Sequence, residues 1–238
     1  MSLSTRRVGA IYRKEVREYR RNGSIVVAMA ILPLVFLIQP LVVVLLAPES
    51  SSASLGQMHL LLYMLAIPVL VPAVVAASAV AGERQQGTLE PVLTTPIRRE
   101  EFVLGKALAA LVPSLAIAYA VYAVFLACAV LFAHPAVASA IVRSPDILAQ
   151  LLFTPLLAGL SIWVGIAIST RSSDVRVAQQ LSVLGCLPVV AVTSLIAFGV
   201  IHVTLGLALG FGAVLLLADA LGWRIVSPMF DRERLITG

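Results

Sequence analysis

Six stretches of the chain hold almost nothing but apolar residues: 25–47, 58–81, 107–132, 147–169, 177–199 and 203–226. Each reaches the roughly 20 residues that a helix needs to cross the hydrocarbon of a bilayer. None alternates apolar and polar residues, and each is far longer than the roughly 10 residues of a barrel strand. With no water to satisfy the backbone in lipid, the pattern predicts helices. Polar punctuation separates them. Ser144-Pro145-Asp146 predicts a capping serine, a proline at the first helical position and an acid at the positive end of the fourth span's dipole. Ser173-Asp174 predicts the same for the fifth. The expected fold class is an all-α membrane protein with six transmembrane helices, forming a single transmembrane domain over residues 1–238.

Residues 5–22 follow a different pattern. Val8, Ile11, Tyr12, Val16 and Tyr19 recur at helical spacing, and Arg6, Arg13, Lys14, Arg17 and Arg20 crowd the other positions. A basic helix with one aliphatic and aromatic stripe is expected to lie flat in a membrane interface. Asn22-Gly23-Ser24 then turns the chain into the first span. That span is too long for a signal-peptide core of about 7–15 residues, so it is expected to remain as an anchor.

Charge sets the orientation. Of the seventeen Lys and Arg residues, all but Arg143 fall before span one, between spans two and three, between spans four and five, or at and after the end of span six. The positive-inside bias places both termini in the cytoplasm and leaves short outer loops. Composition agrees: 12% of residues are charged and 60% are hydrophobic, against about 25% charged in soluble domains. The net charge of +5 therefore belongs to a membrane face, and no nucleic-acid partner is expected. Cys128 and Cys186 lie in apolar runs and form no CxxC pair, which predicts small packing residues. His59, His134 and His202 are scattered near span ends and predict interfacial positions, with no metal site.

The polar segment 82–106 is the densest feature. In GERQQGTLEPVLTTP, Gly87-Thr88 starts a short helix, Pro91 falls in its first turn, Glu90 sits near the dipole's positive end, and Thr95-Pro96 stops it. Leu89, Val92 and Leu93 share one face of that helix. An apolar knob facing water between two spans needs something to bury against. Glu100 and Glu101 occupy the first turn of the next helix, and Gly105-Lys106 brings it to the interface, where the lysine is expected to snorkel.

ERQQGTLEPVLTTPIRREEFVLGK resembles the first cytoplasmic loop of type-2 ATP-binding-cassette permeases of the sodium- and drug-export group. Glu83, Gly87, Thr88, Leu89, Glu90, Leu93, Thr95, Pro96, Gly105 and Lys106 match that pattern, and Val92 replaces a usual leucine. The six spans and the basic N-terminal helix extend the resemblance over nearly the whole chain. It implies that 82–106 carries a coupling helix for a separate ATPase subunit, and that Arg171, Asp174 and Arg176 supply a second contact. The N-terminal helix would be the family's elbow helix. The resemblance also implies two ATPase copies and a second permease copy, identical or paralogous, in a bacterial or archaeal inner membrane. Many members carry a re-entrant hairpin before the last span, for which 177–226 leaves little room.

The sequence lacks a GxxxxGK[ST] phosphate loop, since its one GK, at Gly105-Lys106, is followed by Ala107. ATP and magnesium are therefore expected in the partner, with no cofactor and no enzymatic activity in this chain.

Within the spans, Asp219 is the embedded carboxylate. It lies five positions from Arg224, off its face of the helix, and is expected to turn toward another helix or a watery cavity. Gln39, Tyr119, Tyr122, Thr193 and Ser194 are further candidates for lining a pathway or gate, or for bonds between helices. Gly206-x-x-x-Gly210 offers a close-packing face. The expected function is a permease subunit exporting a hydrophobic or amphipathic substrate. Two alternatives stand beside it: a lipid-active membrane enzyme, which needs a cluster of acids, histidines or metal ligands, and a stand-alone channel or secondary transporter, which needs mid-membrane ion sites.

Overall fold

The computed structural model of the chain describes residues 4–87 and 98–230. Helices carry the fold, with no strand among the described residues. An amphipathic helix, Thr5–Arg21, precedes six helices long and apolar enough to cross a membrane: Ile25–Leu46, Leu60–Gln85, Arg99–Phe132, Ser144–Arg171, Val175–Ala197 and Leu205–Met229. Short helices Ser52–Gln57 and Pro135–Ile141 pack against each other in the first and third connections. That end of the bundle is opposite the one carrying the N-terminal helix.

The second span is the axis of the bundle. Ninety-four per cent of its apolar window is buried inside the protein, against 6% for the sixth span. Its composition explains why. Ala73, Ala76, Ala77, Ala79 and Ala81 give it a slim surface on which neighbouring backbones come close. Gly165 of the fourth span exploits this: a Cβ there would sit 2.8 Å from the Ala73 carbonyl oxygen. The fourth span is accordingly the second's most extensive neighbour, followed by the fifth.

This axial helix is not continuous from its apolar start. A four-residue turn, Leu60–Tyr63, is followed by a fresh helix from Ala66. Pro68 is the cause, because it has no N–H for the Met64 carbonyl and its ring crowds that carbonyl. The chain answers with tight i→i−3 bonds from Met64, Leu65 and Ile67 to Leu61, Leu62 and Met64. The other prolines inside the spans (Pro33, Pro40, Pro72, Pro113, Pro155, Pro188 and Pro228) are carried in unbroken helices.

The third helix begins at Arg99, well before its apolar run, and has 34 residues. Its length of about 50 Å exceeds the roughly 30 Å of hydrocarbon, so its opening turns project past the apolar layer. The N-terminal helix packs on this projection. Val8, Ile11 and Tyr19 are buried there, with Tyr12 and Val16 partly so; much of the apolar stripe is therefore covered by protein.

At the helix starts, Asp174 accepts from the backbone N–H groups of Arg176 and Val177, as its position predicts. Ser144 makes no such cap and is already inside its helix, after Arg143. Residues 198–204 join the fifth and sixth spans directly, with no helix between them.

Candidate functional site

The segment singled out by its sequence pattern divides in two. Thr88, Leu89, Glu90, Val92, Leu93, Thr95 and Pro96 lie outside the described residues; its flanks, up to Gly87 and from Arg98, are described. Those flanks converge on the N-terminal helix through a buried charge cluster.

Lys106 is its centre. Its side chain has 0% exposure, so it does not snorkel to the surface as expected. The Nζ donates to Ala79 O at 2.6 Å and to Glu15 Oε1 at 2.9 Å, and lies 3.1 Å from Glu83 Oε1. It also sits 4.8 Å from the centre of the Phe102 ring. A lysine four carbons long within a protein-covered seam finds three acceptors at close range, and this removes any drive toward water. Lys14 reinforces the cluster from the N-terminal helix, donating to Glu83 Oε1 at 2.6 Å and lying 3.4 and 3.5 Å from Glu15 and Glu18. Burial alone would lower the Lys14 ammonium, but Glu15, Glu83 and Glu18 outweigh it and hold the group above its ordinary value.

Gly105 is explained by the same seam. A Cβ there would fall 2.7 Å from Ile11 Cβ, so only glycine lets the N-terminal helix seat closely enough for Glu15 to reach Lys106. Glu101 fixes the beginning of that helix. It accepts from the Ser4 backbone N–H at 2.9 Å, pairs with Arg7 at 3.4 Å, and accepts from the Arg98 N–H at 3.4 Å. The second basic-end segment is tied in through Arg84, whose guanidinium donates to the carbonyls of Ser172 and Thr170 at 3.2 and 3.3 Å. Ser169 Oγ accepts from the Val80 and Ala81 N–H groups nearby. Arg171, Asp174 and Arg176 themselves remain exposed, as do Arg13 and Arg17 on the outer face of the N-terminal helix.

The residues expected along a pathway are spread over several seams. Gln39 is exposed on the first span and accepts from Tyr63 at 2.6 Å. Tyr119 donates to Leu151 O at 3.0 Å. Tyr122 is buried with its hydroxyl unpartnered. Thr193 bonds to carbonyls of its own helix and borders a cavity of about 50 Å³, and Ser194 is half-buried beside it. Asp219 turns to the fourth span, where a Cβ on Gly159 would lie 2.8 Å from its Oδ1. Arg224 is exposed, apart from that contact. Gly206 and Gly210 meet nothing within 4 Å. Cys128 and Cys186 are free thiols, and no group of metal ligands occurs among the described residues.

Several functional-looking residues escaped the sequence pattern. Glu15 is one, although its signal was present: Ile11, Glu15 and Tyr19 fall at i, i+4 and i+8, which puts an acid on the apolar face. His59 is another. It pairs with buried Asp146 at 2.8 Å, and its backbone N–H donates to Ala197 O. Asp146, Gln150 and Thr154 form a buried polar line on the fourth span, again at intervals of four.

Comparison with known proteins now bears on this arrangement. The search of curated proteins gives no match. The model of the ABC-2 family transporter proteins matches residues 9–223 and so takes in most of the N-terminal helix, the charge cluster, the first five spans and most of the sixth. The chain therefore belongs to the ABC-2 transporter family, as a multi-pass membrane component of transport.

Proposed function

We propose that the chain is the permease subunit of an ABC exporter, worked by ATP hydrolysis in a separate ATPase subunit. Segment 88–97 would present the apolar face of Leu89, Val92 and Leu93 to a cleft on that ATPase, and 171–176 would make a smaller contact. Both segments and both termini would then lie in the cytoplasm, in agreement with the distribution of basic residues. Two permeases and two ATPases would form the working unit, with ATP and magnesium held by the ATPases.

One observation carries the reading: both ends of the proposed coupling segment run into helices pinned to a single buried cluster of Lys106, Glu15 and Glu83, which Lys14 joins from its partly exposed edge. A push on the segment meets a braced mount and is passed into the second and third spans. The N-terminal helix, braced on the same cluster, acts as the family's elbow helix in this reading. Short outer connections and few charges within the spans favour a hydrophobic or amphipathic substrate.

The test is transport in vesicles containing this chain and its ATPase, with and without Leu89→Asp. The variant should insert normally and lose ATP-driven transport. Transport at the wild-type rate removes the coupling role, and transport by the chain alone removes the ATPase.

A further inference from the structure

The cations of the N-terminal helix divide into two sets. Arg7 pairs with Glu101, and Lys14 with Glu83, Glu15 and Glu18. Arg6, Arg13, Arg17 and Arg20 are exposed and pair with no carboxylate among the described residues. Arg21 flanks them but also borders Glu15, Glu18 and Glu83, whose charge it helps to balance. At 3.6 residues per turn, the four unpaired arginines fall within about 60° of one another, in a row about 21 Å long. They point away from Val8, Ile11, Glu15 and Tyr19, the buried side of the same helix.

The depth of this row decides what can meet it. The helix starts beside Glu101, which accepts from the Ser4 N–H, and reaches Lys106 at Glu15 and Glu83 of the second span at Lys14. It therefore crosses from the third span to the second, and about 16 Å of its length changes depth by only about 7 Å. The apolar run of the third span starts just after Lys106, and that of the first span at Ile25. The helix thus lies within about 10 Å of the hydrocarbon, at the level of lipid headgroups. Protein already covers its apolar stripe, so the side left facing outward is the arginine row. A recess of about 390 Å³ opens along it beside Arg13 and Arg17, with Ala10 between the side chains. Glu18, the acid on the border of that recess, lies 3.5 Å from Lys14.

Four fixed positive charges with no acid opposite them attract anions, and a guanidinium matches phosphate oxygens two at a time. We propose that this row binds the phosphates of anionic phospholipids, with Arg13 and Arg17, one turn apart at the recess, closing on one headgroup. An acidic protein surface would meet the same charges, but the depth of the row favours lipid. The bilayer then holds the N-terminal helix by its charged side while the bundle holds it by its apolar one.

The experiment uses the purified full chain in mild detergent, without any ATPase, so its result is independent of the coupling proposal. Lipid retention is read by native mass spectrometry with phosphatidylglycerol or phosphatidylcholine added in turn. The wild type should retain phosphatidylglycerol about tenfold more tightly than phosphatidylcholine. Arg13→Gln with Arg17→Gln, both at exposed positions, should bring the two lipids near parity. Arg171→Gln with Arg176→Gln removes the same charge elsewhere on the chain and should leave the preference in place. Equal retention of the two lipids by the wild type overturns the proposal and leaves the row to an acidic protein surface. A preference that survives Arg13→Gln with Arg17→Gln, or one lost equally in the Arg171 and Arg176 variant, also overturns it. Inorganic phosphate that displaces phosphatidylglycerol at equal concentration overturns the lipid as the source of the anion.

Discussion

Lys106 Nζ lies 2.9 Å from Glu15 Oε1 across 91 residues of sequence, with neither side chain more than 3% exposed. The pair locks the N-terminal helix to the third span at the point where that span leaves the apolar layer. Removing one partner from a buried pair strands the other's charge, at a cost of about 3–5 kcal/mol. Lys106→Met should lower the thermal midpoint of the detergent-solubilised chain accordingly. Lys106→Met with Glu15→Gln should recover part of the loss, because the stranded carboxylate is gone. A double variant no more stable than the single one contradicts the pairing.

Gly105 tests the same seam by shape alone. In Gly105→Val, a Cβ 2.7 Å from Ile11 Cβ and the branch beyond it force the helices apart, at a cost of about 1–3 kcal/mol as for other overpacked cores. Limited proteolysis should then cut at Arg13 or Arg17 faster than in the wild type, while the spans stay protected. Adding Ile11→Ala should leave the cleavage fast, because alanine keeps the Cβ that clashes.

Arg84 is expected to hold the two basic-end segments together through the Ser172 and Thr170 carbonyls. Arg84→Ala should speed hydrogen exchange at residues 172–176 with little change at the opposite end of the bundle. Exchange unchanged in that window shows that the segments are held by other contacts.

High pH should loosen the N-terminal helix. Lys14 is raised above its ordinary 10.5 and Tyr19 above its ordinary 10.0, so the folded state binds both protons more tightly than the unfolded chain does. Their contribution is whole below those ordinary values and is lost as the pH climbs through them toward the folded ones. Unfolding midpoints should be flat in this respect up to about pH 10 and then fall. Lys14→Met with Tyr19→Phe should make that decline shallower; an unchanged slope places the alkaline sensitivity elsewhere.

The sequence made the span count legible because hydrocarbon imposes one length and one composition on every crossing. The start of the third helix was half legible: Glu100 and Glu101 marked a first turn, yet the apolar run begins only after Lys106. The fate of Lys106 was not legible. A lysine next to a span reads as a snorkelling residue, and only the meeting of three distant segments shows that its acceptors are Glu15, Glu83 and the Ala79 carbonyl. Gly105 looked like part of a motif without a reason; its reason is Ile11, nearly a hundred positions away. The break before Pro68 was implicit in the proline itself, but so were breaks at other span prolines that the helices absorb. Local chemistry cannot say which proline a helix will absorb.

The burial of the second span has a consequence for how the protein is made. That helix leaves the ribosome before the fourth and fifth, the two that cover it most, so it first meets lipid with its final neighbours still unsynthesised. Its small residues cannot hold it in place by packing at that stage, and its own affinity for hydrocarbon must do so alone. Biogenesis thus selects the segment twice, first for greasiness and later for slimness, and a long stretch of alanine and valine satisfies both demands.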